Sequence, residues 1–156
     1  MTPIFRNAEP RDIELLLVMM RELYLNDGIA FNEQRSRRAT LQLMDEPRAG
    51  TIRVIEVGEA VAGYMVLTFG FSLEHGGWHG FIDELFVNAP HRGGGLGTAA
   101  VRHLESECAG LGMTALLLEA DLANEKATRL YQRLGFREHS RRLMMLPVCA
   151  SGAFKG

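Results

Sequence analysis

Residues 83–97 read DELFVNAPHRGGGLG and join a β-rich run, residues 81–87, to a segment that favours a helix from Leu96 onward. Pro90 interrupts the strand pattern, and Arg92 and four glycines follow it. Glycine allows positive φ and lets a ligand approach the main chain, and a helix start presents free N–H groups and the positive end of the helix dipole. The stretch therefore predicts a phosphate-binding turn, with a plain flexible connection as the simpler alternative.

The composition indicates one globular domain. The chain has 156 residues, of which 47% are hydrophobic, and its 17 Lys and Arg residues against 19 Asp and Glu residues give a net charge of −2. This balance provides no basic surface for a nucleic-acid backbone, and no apolar run approaches the ~20 residues of a membrane-spanning helix. Cys108 and Cys149 show no disulfide spacing, and no signal peptide is evident. We expect a cytoplasmic domain over residues 1–148 and a loose tail over residues 149–156.

Hydrophobic periodicity divides the chain into strands and helices in a mixed order. Helices are predicted over residues 10–24, 33–44, 97–111 and 124–134. Strands are predicted over residues 2–6, 52–57, 61–69, 81–87 and 113–120, with one or two more in 136–148. Since two β runs flank a glycine turn near Gly58, we expect an antiparallel hairpin there. The order indicates an α+β or α/β domain.

The glycine loop also has a dinucleotide-binding interpretation. Gly95, Gly97 and Ala100 match the G-x-G-x-x-A fingerprint, and Glu119 lies ~20 residues further on, where an acid would bind the ribose. This match is weak because residues 88–94 separate the strand from Gly95, and because only one such βαβ unit would fit in the chain. A P-loop is excluded, since no Gly-Lys-Ser/Thr follows the glycines.

Two motifs in order resemble the central motifs of the GNAT superfamily of acyl-CoA-dependent N-acetyltransferases. The first is Leu85-x-Val87-x-x-Pro90-x-Arg92-x-x-Gly95-x-Gly97, and the second is Asn124-x-x-Ala127-x-x-Leu130-Tyr131-x-x-x-Gly135-Phe136. The resemblance is strongest over residues 81–145. It implies a single-domain α+β (mixed α/β) fold, with a mixed, mostly antiparallel sheet of six to seven strands flanked by about four helices.

The resemblance implies acetyl-CoA as co-substrate and a site for each of its parts. Main-chain groups of Leu85, Phe86 and Val87 would bind the pantetheine arm, and the Val87 amide would polarise the thioester carbonyl. The pyrophosphate would be bound by the loop amides and the first helical turn, which comprise Arg92, Gly93, Gly94, Gly95, Leu96, Gly97 and Thr98. Asn124 would touch the cofactor arm, and Tyr131 would lie near the sulfur and protonate the departing thiolate.

An acceptor amine that is protonated at pH 7 must lose a proton before it can attack, so we expect a carboxylate base. Asp83, Glu84 and Glu119 are the candidates, in that order of preference. Strand alternation puts Asp83 and Glu84 on opposite faces unless a bulge intervenes. Each of these acids has the simpler alternative of a structural ion pair.

The acceptor is expected to be a primary amine of a small molecule, polyamine-like or aminoglycoside-like, or of a peptide. Acidic and aromatic residues in the regions that vary with acceptor in this family would suit a cation; they are Glu74, His75, Trp78 and His79 in the glycine-rich stretch 70–80, and Tyr24, Asp27 and Phe31. No metal site is expected, because Gly76 and Gly77 argue against a helix that would align the two histidines. A homodimer is compatible with the pattern, and the alternative function is a CoA-binding sensor or scaffold without turnover.

Overall fold

One five-stranded sheet runs through residues 1–148, the part of the chain that the computed structural model describes. Its strands are β1 (Ile4–Asn7), β2 (Gly50–Val57), β3 (Ala60–Ser72), β4 (Gly77–Val87) and β5 (Leu116–Leu118). They lie in sequence order across the sheet. The first three pairings are antiparallel and the pairing of β4 with β5 is parallel, so the predicted hairpin and the predicted mixed sheet are confirmed.

Four α-helices flank this sheet: α1 (Ile13–Asn26), α2 (Glu33–Asp45), α3 (Leu96–Gly110) and α4 (Glu125–Arg133). Short 3₁₀ turns, Pro10–Asp12 and Ala89–His91, precede α1 and the glycine loop. Side chains cap two of the helices, because the Asn32 side chain accepts from Arg35 N at 2.9 Å and the Asn124 side chain from Ala127 N at 3.1 Å. The four predicted helices are confirmed.

The sheet separates two apolar cores. On one face α1 packs on β2, β3 and β4 through Leu16, Val54 and Tyr64, among others, with partly buried residues of α2 at the edge. On the other face α3 packs on the same strands through residues such as Leu67 and Leu104. Tyr131 of α4 and Leu134, which follows α4, pack against the same core. Since the faces are covered by different helices, the end of β4 lies between α1 on one side and α3 with α4 on the other.

The prediction of six to seven strands was wrong for residues 1–148, which contain five. The expected strand in residues 113–120 is only three residues long, and residues 137–148 form neither strand nor helix. In that segment the apolar side chains are exposed, with Leu143 at 77% and Met144 at 90%. Apolar character favours a strand only when a neighbouring strand pairs with it, and residues 137–148 pair with none.

Within residues 1–148, no helix is long and apolar enough to cross a membrane. The expected loose tail, residues 149–156, lies outside the described residues.

Candidate active site

Strands β4 and β5, the last two strands of the sheet, separate part of the way along β4. Their last paired residues are Ile82 and Leu118, and β5 ends there while β4 continues for five residues to Val87. The edge of β4 beyond Ile82 therefore has no strand partner on the side of β5. An extended chain that entered this gap would meet free main-chain groups, as in other cases where a ligand adds to a sheet edge.

The hydrogen-bond register shows which groups are free. Asn88 N donates to Ala62 O at 2.8 Å, and because bonded pairs alternate along antiparallel strands, Phe86 also exchanges its bonds with β3. The N–H and C=O of Leu85 and the N–H of Val87 consequently point to the gap. Phe86 differs from the expectation that it offers main-chain groups to a ligand, because those groups are bonded to β3. Its side chain is 3% exposed and packs in the α1 core.

The glycine loop ends in free N–H groups at the start of α3. Gly93 and Gly95 have φ of 84° and 81°, the left-handed conformation that favours glycine. Gly95 is the N-cap of α3, and no side chain caps the helix. A Cβ added at Gly93, Gly94 or Gly95 would meet nothing within 4 Å. This open, positively polarised cradle fits a pyrophosphate.

Arg92 does not add its charge to this cradle. Its Nε donates to Val87 O at 2.7 Å, its guanidinium lies 5.4 Å from the centroid of the Phe86 ring, and it pairs with Glu22 at 3.3 Å. The backbone N–H of Arg92 donates to Ala89 O at 3.2 Å. Arg92 therefore binds the carbonyl oxygen of the last residue of β4, while the loop amides that follow it stay free.

Helix α4 lies beside the start of α3, since a Cβ on Gly97 would lie 3.6 Å from Leu130 Cδ2. Tyr131 is half-buried, with its ring 5.7 Å from that of Phe136. Desolvation, and secondarily the charge of Asp27, raises the pKa of the Tyr131 hydroxyl, so this hydroxyl holds its proton at neutral pH. Asn124 is exposed at the first turn of α4 and is the N-cap of that helix.

A β-bulge brings the two adjacent acids of β4 to one face. Glu84 lies opposite Val66 and Ile82 lies opposite Leu67, so Asp83 has no partner residue on β3. Ile82 and Leu85 both pack in the α3 core, and the two residues between them therefore face α1. This is the bulge on which a common orientation of Asp83 and Glu84 depended. We call these two carboxylates the acidic pair.

Two tyrosines hold the inner member of the acidic pair. Tyr24 OH donates to Glu84 Oε1 at 2.5 Å, and Tyr64 OH donates to Glu84 Oε2 at 2.7 Å. Desolvation raises the pKa of Glu84, the two tyrosine hydrogen bonds oppose this, and the charges of Asp83 and Asp27 raise it further. Asp83 is the more exposed residue of the pair, and desolvation also raises the pKa of its carboxyl group. Both carboxylates of the pair are thus easier to protonate than ordinary ones.

The third candidate base stands across the gap. Glu119 directly follows β5, and the parallel register would place it beside Asp83 if the strands had not parted. It is exposed. Sequence reasoning missed Tyr64, because only its contact with Glu84 in the folded protein points to a role in the site. It named Tyr24 only as a residue of the acceptor region.

The glycine-rich stretch does not reach this site. Residues 70–80 form the end of β3, a tight turn and the start of β4, so Glu74, His75, Trp78 and His79 lie at the far end of β4 from the glycine loop. Glu74 pairs with Arg141 at 2.5 Å, and Phe31 already has the Arg21 guanidinium 5.2 Å from its ring centroid. Among residues 1–148, no three His, Cys, Asp or Glu side chains are grouped so that they could hold a metal ion.

The site thus combines a free strand edge that could hold an extended arm, a cradle that could hold a pyrophosphate, and carboxylates where the strands part, with a protonated tyrosine packed against the α3 core. Comparison with known proteins assigns the chain to the acyltransferases that take their acyl group from coenzyme A. It belongs to the acetyltransferase (GNAT) family, whose model matches residues 17–136. Acetyl-CoA is the co-substrate of this family, and the open cradle and free β4 edge fit it.

Individual proteins are also similar to this chain. The chain is 27% identical, over 85% of its length and 84% of the relative's, to aminoalkylphosphonate N-acetyltransferase of Salmonella typhimurium. It is 37% identical to an integron cassette protein from the mobile metagenome of Cole Harbour Salt Marsh, with a TM-score of 0.81 over 93% of this chain and 90% of that one. A predicted acetyltransferase of Clostridium acetobutylicum, solved with acetyl-CoA, shares the fold at 18% identity, with a TM-score of 0.78 over 93% and 96% of the two chains.

Proposed function

We propose that this protein transfers an acetyl group from acetyl-CoA to a primary amine that carries positive charge, by direct attack of the amine on the thioester. The observation that carries the proposal is the β-bulge, which turns Asp83 and Glu84 to one face where β4 and β5 part. A base is required there because an ammonium cannot attack.

The chain binds its co-substrate along β4 and the glycine loop. The N–H and C=O of Leu85 and the N–H of Val87 face the gap and would bind the pantetheine arm, with Asn124 beside it. The amides of residues 93–97, together with Thr98, would bind the pyrophosphate. Acetyl-CoA supplies the acyl group as an activated thioester, whose carbonyl oxygen the Val87 N–H would polarise.

Three proton transfers accompany the exchange of a C–S bond for a C–N bond. The acidic pair accepts one proton of the acceptor ammonium, directly or through water, with Asp83 as its open member. The Tyr131 hydroxyl gives a proton to the departing thiolate, for which its raised pKa keeps it protonated, and regains one from the nitrogen of the new amide, directly or through water. Glu119, which follows β5 on the other side of the gap, is the alternative candidate for the base.

The charge of the site supports a cationic acceptor, such as a polyamine-like or aminoglycoside-like amine or the amine of a peptide. Asp27, Asp83 and Glu84 act on one another or on the same tyrosines, and their combined field attracts cations. The name of the Salmonella relative gives an aminoalkylphosphonate as its substrate. Such a molecule carries an anionic group that these carboxylates would repel.

A thiol-release assay with acetyl-CoA tests the proposal across polyamines, aminoglycosides, amino acids, peptides and an aminoalkylphosphonate. We expect turnover with a polycationic amine, at a higher kcat/KM than with the phosphonate. Binding of acetyl-CoA with no turnover above background hydrolysis for any acceptor would instead support a CoA-binding sensor or scaffold. A preference for the phosphonate would contradict the assignment of a cationic acceptor.

A further inference from the structure

Glu84 is held by both of its carboxylate oxygens, and the two donors come from different parts of the fold. Tyr24 lies near the end of α1 and Tyr64 lies on β3. Tyr64 is fully buried, with its ring 6.1 Å from that of Phe86. The Tyr24 ring meets Phe31 edge-on at 5.6 Å. Both hydroxyls are therefore fixed by packing, and they fix the carboxylate in turn.

The surroundings of this carboxylate explain why it needs two donors. Asp27, which directly follows α1, and Asp83 from β4 add negative charge, and Arg35 from α2 acts on Tyr24. A half-buried, desolvated carboxylate beside two like charges takes up a proton readily unless hydrogen-bond donors stabilise its ionised form. Hydrogen bonds to a charged group are about twice as strong as those between neutral groups.

We infer that Tyr24 and Tyr64 are positioning residues. Their hydrogen bonds keep Glu84 ionised and fix its carboxylate beside Asp83. The acidic pair can therefore accept one proton, and Asp83 is open to the acceptor. This inference rests on the proposed function for its catalytic consequence. It extends the site from the end of β4 to α1 and β3. Neither tyrosine touches the reacting atoms; both act through Glu84.

The inference fixes the direction of a pH shift. Loss of either hydroxyl removes a bond that lowers the pKa of Glu84, so the pair takes up its proton at a higher pH. Activity that needs the ionised pair is lost as pH falls, and the acidic limb of the kcat/KM profile must therefore move upward. One bond to a charged group corresponds to about 1 pH unit.

The test compares Tyr24→Phe and Tyr64→Phe with Thr40→Val. Thr40 is a matched control because it is a buried hydroxyl in the same helical layer, bonded to Ser36 O at 2.7 Å and away from Glu84. For each variant, ¹³C NMR of labelled Asp and Glu carboxyls gives the titration without any acceptor, thermal unfolding gives the stability, and kcat/KM against pH gives the consequence for turnover.

We expect both tyrosine variants to raise the titration of the pair and the acidic limb by about 1 pH unit, with the KM for acetyl-CoA unchanged. Thr40→Val should lower only the stability. If Tyr64→Phe does not fold, Tyr24→Phe decides the matter. An unchanged titration in a folded tyrosine variant overturns the inference. A shifted titration without turnover for any acceptor leaves the positioning role intact and removes the proposed function.

Discussion

Ile82 lies opposite Leu118, and this pair is the last that joins β4 to β5. Beyond it β4 continues for five residues, through the bulge at Asp83 to Val87, paired with β3 but no longer with β5. The acids and the free edge of β4 therefore occur at one place, where the sheet opens. The groups that we propose to react and those that we propose to bind the co-substrate are adjacent because the same strand supplies both.

Tyr131→Phe should lower kcat by about 100-fold, within the usual range for loss of a general acid, and leave acetyl-CoA affinity unchanged. The ring would keep its packing against Phe136, so the melting temperature should stay the same. Steady-state kinetics and calorimetric titration with acetyl-CoA measure the two effects separately. Equal losses of affinity and rate would show that Tyr131 serves binding and not proton transfer.

Asp83→Asn removes the open member of the acidic pair. We expect kcat to fall by about 100-fold or more, and the remaining titration of Glu84 to move to lower pH, because the charge of Asp83 raises the Glu84 pKa. Rate–pH profiles measure both effects. Glu119→Gln is the companion variant. If Glu119→Gln abolishes turnover and Asp83→Asn does not, the base is Glu119, on the β5 side of the gap.

Gly94→Ala tests the close approach of the ligand to the loop. Gly94 has no positive φ, and an added Cβ would meet nothing within 4 Å, so the fold should tolerate the change. A bound pyrophosphate would meet this methyl group, and we expect acetyl-CoA to bind about 10-fold more weakly, or ~1.4 kcal/mol. The matched control is Gly110→Ala, which also points into open space at the far end of α3. Unchanged affinity in Gly94→Ala would contradict the loop assignment.

Gly63→Ala should destabilise the protein by about 2 kcal/mol or more, as overpacking does. Gly63 lies opposite Val87, and an added Cβ would sit 2.1 Å from Phe86 O, a main-chain atom that cannot move aside alone. Urea unfolding measures the loss. A variant as stable as the original protein would mean that the end of β4 can move away from β3.

Asp12→Asn should cost about 3 kcal/mol at pH 7, because Asp12 is 7% exposed and accepts two bonds from Arg6 at 2.7 and 2.8 Å. The Arg6 hydrogen bonds hold the pKa of Asp12 below its ordinary value. A lowered folded-state pKa gives stabilisation that is complete above the unfolded pKa, near ~3.9, and is lost as pH falls through the folded value. The difference in unfolding free energy between the two proteins should therefore shrink below about pH 4; a difference that is constant down to pH 2 would contradict this.

Local patterns were enough to predict much of the fold. The glycines before Leu96, the Asn124 cap and the apolar spacing of α1 and α3 act within one or two turns of chain, and the structure has those elements where the patterns predicted them. The glycine turn before α3 was equally predictable, although the Arg92 side chain turned to Val87 O and not to the loop. The Arg92 side chain is long enough to reach either Val87 O or the loop, and the sequence does not show which of them it contacts.

By itself, then, the sequence determined the order of the elements, the glycine turn at the start of α3 and the residue types of the site, because each depends on neighbours in the chain. Only the tertiary structure decided that Asp83 and Glu84 share a face, since the bulge exists in relation to β3. Only it joined Glu84 to Tyr24 and Tyr64, and only it left residues 143–148 exposed and unpaired. Each of these depends on contacts between distant segments, and the chemistry that we propose depends on the first two.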